Sequence, residues 1–275
     1  MIYIIFLVII ILILLYLNIK KEGFTASPYM GCINNSEHKN FVFTSCGNNT
    51  KFHELWGNDN RNYDIYAIYY KDDPEVFDMY KKKVNNIESR KGSKFQNFHY
   101  FYNKYPDIIN KYERFFILDD DIIFNTDDIN EMFKISKEYG LWICAPSYSV
   151  EGKISWPHTK HEPDTLLRYT NFIENGTGLF NKHALTNTMK YFDPVLIGWG
   201  IDYLFMWANG EHKDKYAIID KVVCINPHDE KKNNNREMNW VKNFNNEAQI
   251  WEEFRKKNKI PNVSNYGEIY KKIKL

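Results

Sequence analysis

Three consecutive carboxylates, Asp119, Asp120 and Asp121, are the residues of this sequence whose type and spacing most clearly allow chemistry. The apolar run 115–118 precedes them, and the apolar run 122–124 follows them. A short apolar run between polar segments predicts a buried strand of an α/β sheet. Because ligands of such sheets bind at the carboxyl ends of the strands, we expect the acids to lie beside a small molecule.

A divalent cation would remove the repulsion between carboxylates that are packed this closely. Side chains alternate along a strand, so Asp119 and Asp121 are expected on one face. There they could hold Mn²⁺ or Mg²⁺ together with the phosphates of a substrate. His228 follows the last predicted strand and could complete this metal site. The alternative is a solvated acidic turn that caps the next helix without a bound ion.

Two loops that precede predicted helices supply further candidate residues. Arg90 and Lys94 surround Gly92, where backbone amides and cations can approach a phosphate, although a basic loop without a ligand is the alternative. Asp202 follows the Gly-Trp-Gly segment 198–200, whose glycines allow a ligand close to the backbone. Asp202 is therefore a candidate general base, or else only the N-cap of a helix.

The elements that must position these residues alternate between strands and helices, which is typical of a parallel sheet. The loop 147–164 is long for a compact domain and is expected to cover or shape a binding site, with His158 and His161 as ordinary loop residues. The sequence predicts strands at 41–46, 63–70, 115–118, 141–146, 172–180 and 218–225, and helices near 74–84, 94–102, 128–140, 182–191, 202–208 and Trp251.

Residues 1–19 carry no charged side chain and are almost entirely apolar. This run predicts a transmembrane signal anchor, since a bilayer-spanning helix needs roughly 20 such residues, or else a signal sequence. We expect residues 20–40 to form a stem and residues 41–275 to form one catalytic domain. The predicted location is that of a single-pass membrane protein of type II, in a Golgi-like or ER-like lumen. Lys20 and Lys21 leave the topology open, because the positive-inside rule would place the domain in the cytoplasm.

Charge and cysteine content exclude some classes of function. The formal net charge of +1 gives no reason to expect nucleic-acid binding. No two of the four cysteines have CxxC spacing, which argues against a zinc site. Cys32 and Cys46 could pair in an oxidising lumen, whereas Cys144 and Cys224 lie in apolar runs and are expected to be buried thiols.

Taken in order, these motifs resemble those of GT-A glycosyltransferases. The resemblance rests on an apolar strand that ends in a DxD motif, Asp119 to Asp121, and on a later helix that begins with Gly-Trp-Gly-Ile-Asp, residues 198–202. A more specific resemblance, over about residues 41–228, is to the plant and bacterial group called DUF707. It implies a GT-A-like, Rossmann-like α/β fold in which helices flank a mostly parallel sheet, here preceded by an N-terminal transmembrane helix.

The resemblance also implies roles for individual residues. Asp121 would coordinate the cation, Asp119 would contact the donor ribose or the same metal, and His228 would be the late metal ligand. The remaining implied positions, which hold the nucleotide and its phosphates or face the donor sugar and the acceptor, are Arg90, Lys94, Glu174, Trp199 and Asp202. Asp120, which lies between the two acids of the DxD motif, is a further candidate cofactor-binding residue.

These predictions together describe a membrane-anchored glycosyltransferase that depends on a divalent metal. It would move a sugar from a nucleotide sugar, a UDP-sugar by analogy, to a glycan or glycoconjugate acceptor. If the reaction inverts the anomeric centre, Asp202 would deprotonate the acceptor hydroxyl. Two alternatives stay open: a non-catalytic carbohydrate-binding protein on the same fold, and a nucleotidyltransferase that uses similar acids.

Overall fold

The computed structural model describes residues 36–228 and 244–275, together with the backbone of residues 29–30. The strands are β1 (Tyr29–Met30), β2 (Asn40–Cys46), β3 (Tyr63–Tyr69), β4 (Asn86–Ser89), β5 (Arg114–Asp119), β6 (Ile143–Tyr148), β7 (Thr165–Thr170), β8 (Thr177–Asn181), β9 (Tyr216–Cys224) and β10 (Ile269–Lys274). The α-helices are α1 (Phe52–Leu55), α2 (Pro74–Lys81), α3 (Lys94–Lys104), α4 (Pro106–Lys111), α5 (Thr126–Glu138), α6 (Lys182–Tyr191), α7 (Ile201–Asn209) and α8 (Glu247–Lys257).

All ten strands belong to one sheet, in the order β1-β4-β3-β2-β5-β8-β6-β9-β7-β10. Strands β4, β3, β2 and β5 are mutually parallel, and β6 pairs in parallel with β9. The other five pairings are antiparallel. The prediction of a mostly parallel sheet is therefore wrong, because the sheet is mixed. A parallel return needs a crossover connection, usually a helix, and residues 149–181 contain no α-helix.

Helices cover both faces of the sheet, and the strand sequences reflect this. Alternate residues of β2 enter two different cores: Phe41 and Phe43 pack on one face, and Val42 and Cys46 pack on the other. Helices α3, α4, α6, α7 and α8 contribute to the first core, whereas α2 and α5 contribute to the second. A strand that is buried on both faces reads as a continuous apolar run, which is why the runs at β2 and β5 were informative.

The acidic segment departs from its prediction in one respect that matters for the site. Strand β5 ends at Asp119, and Asp120 and Asp121 form a turn. The alternation of side chains along a strand therefore does not extend to these two acids. The helix that follows is capped by Asn125, whose side chain accepts a hydrogen bond from the backbone of Asp128, so the acids do not act as its N-cap.

The membrane predictions are also corrected. Within 36–228 and 244–275, no helix is long and apolar enough to cross a bilayer. The structure therefore does not support an N-terminal transmembrane helix or a single-pass membrane protein. The predicted anchor, residues 1–19, lies outside the described residues, as does most of the predicted stem. Cys32 lies outside them too, whereas Cys144 and Cys224 are buried free thiols, as predicted.

Candidate active site

The carboxyl ends of β2, β4 and β5 meet at one edge of the sheet and bring several predicted site residues together. Ser45 near the end of β2 lies opposite Asp119 at the end of β5. The hydroxyl of Ser45 accepts a hydrogen bond from the buried amide of Asn97 on α3 at 2.6 Å. Asn97 also accepts a hydrogen bond from the Arg90 guanidinium. The basic loop after β4 is thus connected to the acidic end of β5.

The loop that carries Arg90 has little free space. The Arg90 guanidinium lies over the ring of Tyr100, 4.6 Å from its centroid, and Nη1 also donates to the carbonyl of Lys91. A Cβ atom at Gly92 would overlap Asn97 and would lie 2.6 Å from Arg90 Nη1. A glycine is therefore needed there to bring the guanidinium close to the start of α3.

Lys94, the first residue of α3, points toward Asp119. Its Nζ atom lies 2.8 Å from Asp119 Oδ1, and it donates to the carbonyls of Asn175 at 2.6 Å and Gly176 at 3.1 Å. An ammonium group has three N–H donors, so these acceptors use all of them. The predicted contact between Lys94 and a phosphate would require the ammonium to leave these partners.

Asp120 faces away from this group. Its Oδ2 atom accepts a hydrogen bond from the backbone of Gly47 at 2.9 Å, and its carbonyl accepts one from Lys51 at 2.8 Å. These bonds tie the acidic turn to the loop after β2, which is a structural use of the side chain. Its predicted role in binding the donor stays a prediction.

Glu174 and Asp202 are two acids whose pKa values are raised toward neutrality. Burial, followed by the negative charge of Asp119, raises the pKa of Glu174 to about 7, although Ser155, Lys94 and Lys153 act in the opposite direction. Burial, followed by the charge of Glu174, raises the pKa of Asp202 to about 7. The charge interactions place Asp119, Glu174 and Asp202 in one connected group, which is typical of functional sites.

The Gly-Trp-Gly segment forms the turn that begins α7. Gly200 is the N-cap, with a φ of 87°, and a Cβ atom there would overlap the ring of Trp251 on α8. Asp202 is therefore not the N-cap, and the purely structural interpretation of its position loses support. Trp199 is 53% exposed, and its backbone N–H donates to Glu247 at 3.1 Å. Its indole is thus presented at the surface, three positions before Asp202 in the chain.

The predicted metal ligands fit a divalent cation only in part. Asp119 and Asp121 supply carboxylate oxygens at one strand end, which Mg²⁺ and Mn²⁺ prefer. The antiparallel bridge between Ile123 and Ile225 brings the end of β9 beside this turn, and His228 is exposed three residues later. In the part of the chain that the structure describes, no three His, Cys, Asp or Glu side chains are grouped closely enough to hold a metal.

The long loop, residues 149–164, is held in place by Arg168, whose role the sequence did not reveal. Arg168 on β7 is buried and pairs through Nε and Nη2 with Asp220 at 2.7 and 2.9 Å. Its other N–H groups bind the carbonyls of His158 and Lys160 and the carboxylate of Glu162. All five donors of the guanidinium are used, two by Asp220 on β9 and three by residues of the loop.

Aromatic rings of the loop and of neighbouring segments pack together. Trp156 of the loop packs against Phe172, with ring centroids 4.4 Å apart, and Tyr203 packs against Tyr266 at 4.9 Å. The ring of Phe172 also packs against both tyrosines, with centroid distances of 5.6 Å to Tyr203 and 4.9 Å to Tyr266. The rings of His158 and His161 contact the protein, His158 through the carbonyl of Phe172 and His161 through the hydroxyl of Ser147.

Sequence reasoning missed Asn97, Asn175, Ser155 and Arg168. Asn97 had a local signal, because it is a polar residue on the helix face that carries Phe95, Phe98 and Phe101. Arg168 had none, since Asp220 is 52 positions away in the chain.

Comparison with known proteins shows which solved structures have a similar fold. No protein-family model and no curated protein matches the chain. The crystal structure of S. aureus TarS 1–349 superposes with a TM-score of 0.50 and 14% identity, covering 78% of this chain and 70% of that chain. A second TarS structure gives 0.47 and 14%, covering 78% and 42%, and TarS 1–349 in complex with UDP gives 0.45 and 12%, covering 78% and 70%.

TarS is a glycosyltransferase with a GT-A-like fold. The likeness to TarS 1–349 therefore shows that this chain has a glycosyltransferase fold, and at 14% identity it shows the fold alone. The more specific resemblance to the DUF707 group stays a prediction.

Proposed function

We propose that this protein is a glycosyltransferase that moves a sugar from a nucleotide-sugar donor to a hydroxyl group of a glycan or glycoconjugate. The observation that supports this function most is the grouping of Asp119, Glu174 and Asp202, from three separate segments, on a glycosyltransferase fold. Asp119 ends a central parallel strand, and ligands of α/β sheets bind at this end of the strands.

The donor is assigned to the edge formed by β2, β4 and β5. Arg90 is the cation that we assign to the diphosphate, because Asn97 holds it beside the start of α3. Asp119 would contact the ribose or, with Asp121 and His228, hold Mn²⁺ or Mg²⁺. When bound, such an ion would neutralise charge on the leaving diphosphate. A UDP-sugar is the first donor to test, because the sequence resemblance implies that nucleotide.

The acceptor is assigned to the part of the site that contains Asp202, Glu174 and the exposed Trp199. In an inverting reaction, the acceptor oxygen attacks the anomeric carbon and its proton passes to the Asp202 carboxylate. The bond from that carbon to the phosphate oxygen breaks, and its electron pair leaves with the nucleoside diphosphate. A carboxyl whose pKa is raised to about 7 is a stronger base than an ordinary aspartate and still ionises near neutral pH.

The test is the release of nucleoside diphosphate from a panel of nucleotide sugars, with Mn²⁺, Mg²⁺ or chelator, and with simple glycosides as acceptors. We expect release from one donor class, and we expect Asp202→Asn to lose at least about 100-fold in kcat with little change in donor binding. Asp193→Asn is the matched control, because Asp193 accepts a hydrogen bond from the backbone of Val195 in a turn and its charge acts on His99 rather than on Glu174 or Asp202.

Three outcomes of this assay separate the candidate functions. Donor-selective release that depends on Asp202 supports the transferase. Release of a sugar 1-phosphate together with transfer of the nucleotide to the acceptor would show a nucleotidyltransferase instead. No release and no nucleotide binding under any condition would contradict catalysis and favour a carbohydrate-binding protein on this fold.

A further inference from the structure

Asn175 lies between the donor half and the acceptor half of the candidate site and contacts both. Its side-chain Nδ2 donates a hydrogen bond to the carbonyl of Gly198 at 3.1 Å. Its own carbonyl accepts a hydrogen bond from Lys94 Nζ at 2.6 Å. One residue therefore joins the start of α3 to the turn that precedes α7.

On the donor side, the connection is made by Lys94 and the end of β5. The Lys94 side chain is only 10% exposed, and Asp119 Oδ1, 2.8 Å away, is its charged partner. The backbone N–H of Asp119 donates to the carbonyl of Gly176 at 3.0 Å, and a Cβ atom at Gly176 would lie 3.3 Å from Asp119 Oδ2. The turn at Asn175 and Gly176 is thus packed directly against the acid that ends β5.

On the acceptor side, the connection runs through the Gly-Trp-Gly turn. Gly198, which accepts the amide bond from Asn175, lies two residues before the left-handed Gly200 and four before Asp202. Because α7 begins immediately after Gly200, the position of this turn sets the position of the Asp202 carboxylate. Glu174, the acid coupled to Asp202, is the chain neighbour of Asn175.

We propose that Asn175 and Lys94 are positioning residues that fix the distance between the donor-binding end of β5 and the base Asp202. The relay is Asp119 to Lys94, Lys94 to the Asn175 carbonyl, and the Asn175 amide to Gly198. It rests on the proposed function, since a distance between donor and base has a catalytic meaning only in a transferase. Asn175 is a neutral residue, so it affects geometry without adding charge to the acids.

The experiment compares Asn175→Ala with Asn130→Ala. Asn130 is the matched control, because its amide also joins two segments, α5 and the loop that contains Asn60 and Asn62, but at the amino end of β3. We expect Asn175→Ala to lower kcat about 10-fold to 100-fold, because a small displacement of the base is costly, and to leave donor affinity within about twofold of the wild type. Asn130→Ala should leave both constants unchanged.

A double-mutant cycle tests whether the two residues act together. If Lys94 and Asn175 belong to one relay, the variant Lys94→Met with Asn175→Ala should have nearly the kcat of the more damaged single variant. Additive losses in kcat would show that the two residues act independently, which would overturn the relay.

A measurement without substrate separates this inference from the proposed function. Amide hydrogen exchange in residues 198–203 should be faster in Asn175→Ala than in the wild type, and unchanged in Asn130→Ala. If the wild type transfers no sugar but the exchange changes as expected, the proposed function fails and the structural relay stands. If the wild type is active and Asn175→Ala retains its kcat and its exchange rates, the inference is wrong. An Asn175→Ala protein that does not fold would be replaced by Asn175→Ser, which keeps a polar side chain too short to reach Gly198.

Discussion

Replacement of Asp202 by asparagine is expected to stabilise the protein at high pH while it removes the proposed base. Asp202 is 8% exposed, and burial, followed by the charge of Glu174, raises its pKa from 3.8 to about 7. A carboxyl with a raised pKa in the folded state lowers the free energy of unfolding once the unfolded chain ionises. This loss begins near pH 4, grows with pH, and becomes constant above the folded pKa.

The size of the effect follows from the two pKa values. For a folded value of about 7 and an unfolded value of 3.8, the loss of stability is about 4 kcal/mol at pH 8 and about 2 kcal/mol at pH 5. Asparagine keeps the oxygen that accepts the hydrogen bond from Tyr203, 3.1 Å away, but is uncharged at every pH. The stability of Asp202→Asn relative to the wild type should therefore rise by about 2 to 3 kcal/mol from pH 5 to pH 8.

Urea unfolding at pH 5, 6, 7 and 8 measures this directly, with Asp193→Asn as the control. Asp193 is only half-buried, so its variant should show a smaller trend with pH than Asp202→Asn. A stability difference for Asp202→Asn that is the same at pH 5 and pH 8, or that becomes less favourable as the pH rises, would refute the reasoning about this carboxyl.

Three further predictions concern backbone, loop and activity. In thermal unfolding, Gly200→Ala should destabilise the protein by about 3 kcal/mol, because the residue has a positive φ and its new Cβ atom would overlap a buried tryptophan ring. Gly210→Ala should cost about 1 kcal/mol, because the space around its new Cβ atom is open. Arg168→Met should lower the free energy of unfolding by about 3 kcal/mol, because Asp220 stays buried without its partner. It should also speed amide hydrogen exchange in residues 150–162, and unchanged exchange there would contradict the role of Arg168 in anchoring the loop. The kcat of transfer should rise with pH up to about 7 and then level off, as Asp202 ionises, so a flat profile from pH 5 to pH 8 would exclude it as the base.

The sequence predicted the strands that form long, mainly apolar runs and missed strands β4 and β7, each of which contains a buried charged residue. The run at 41–46 and the run before Asp119 are strands β2 and β5, as their continuous hydrophobicity indicated. Strand β4 contains Glu88, whose burial is compensated by Tyr66 and Lys104, and strand β7 contains Arg168. Such compensation comes from residues distant in the chain, so local hydrophobic patterns do not reveal these strands.

The sequence suggested several residues of the candidate site but not their arrangement. Asp119 and Asp202 were recognisable because they follow an apolar run and a glycine-flanked tryptophan. Their connection depends on Asn175, which contacts Lys94 81 positions before it and Gly198 23 positions after it. The turn after Asp119 and the mixed sheet were also missed, because both depend on tertiary contacts between distant segments of the chain.

The most direct test of the central claim is calorimetric titration of the protein with nucleoside diphosphates, UDP first, in the presence of Mn²⁺ and after its removal with chelator. We predict that the wild type binds one nucleoside diphosphate per chain, that Asp119→Asn weakens this binding at least tenfold, and that Asp193→Asn does not change it. Absence of nucleotide binding by the folded wild type, or equal binding by Asp119→Asn, would contradict a nucleotide-sugar site at the end of β5.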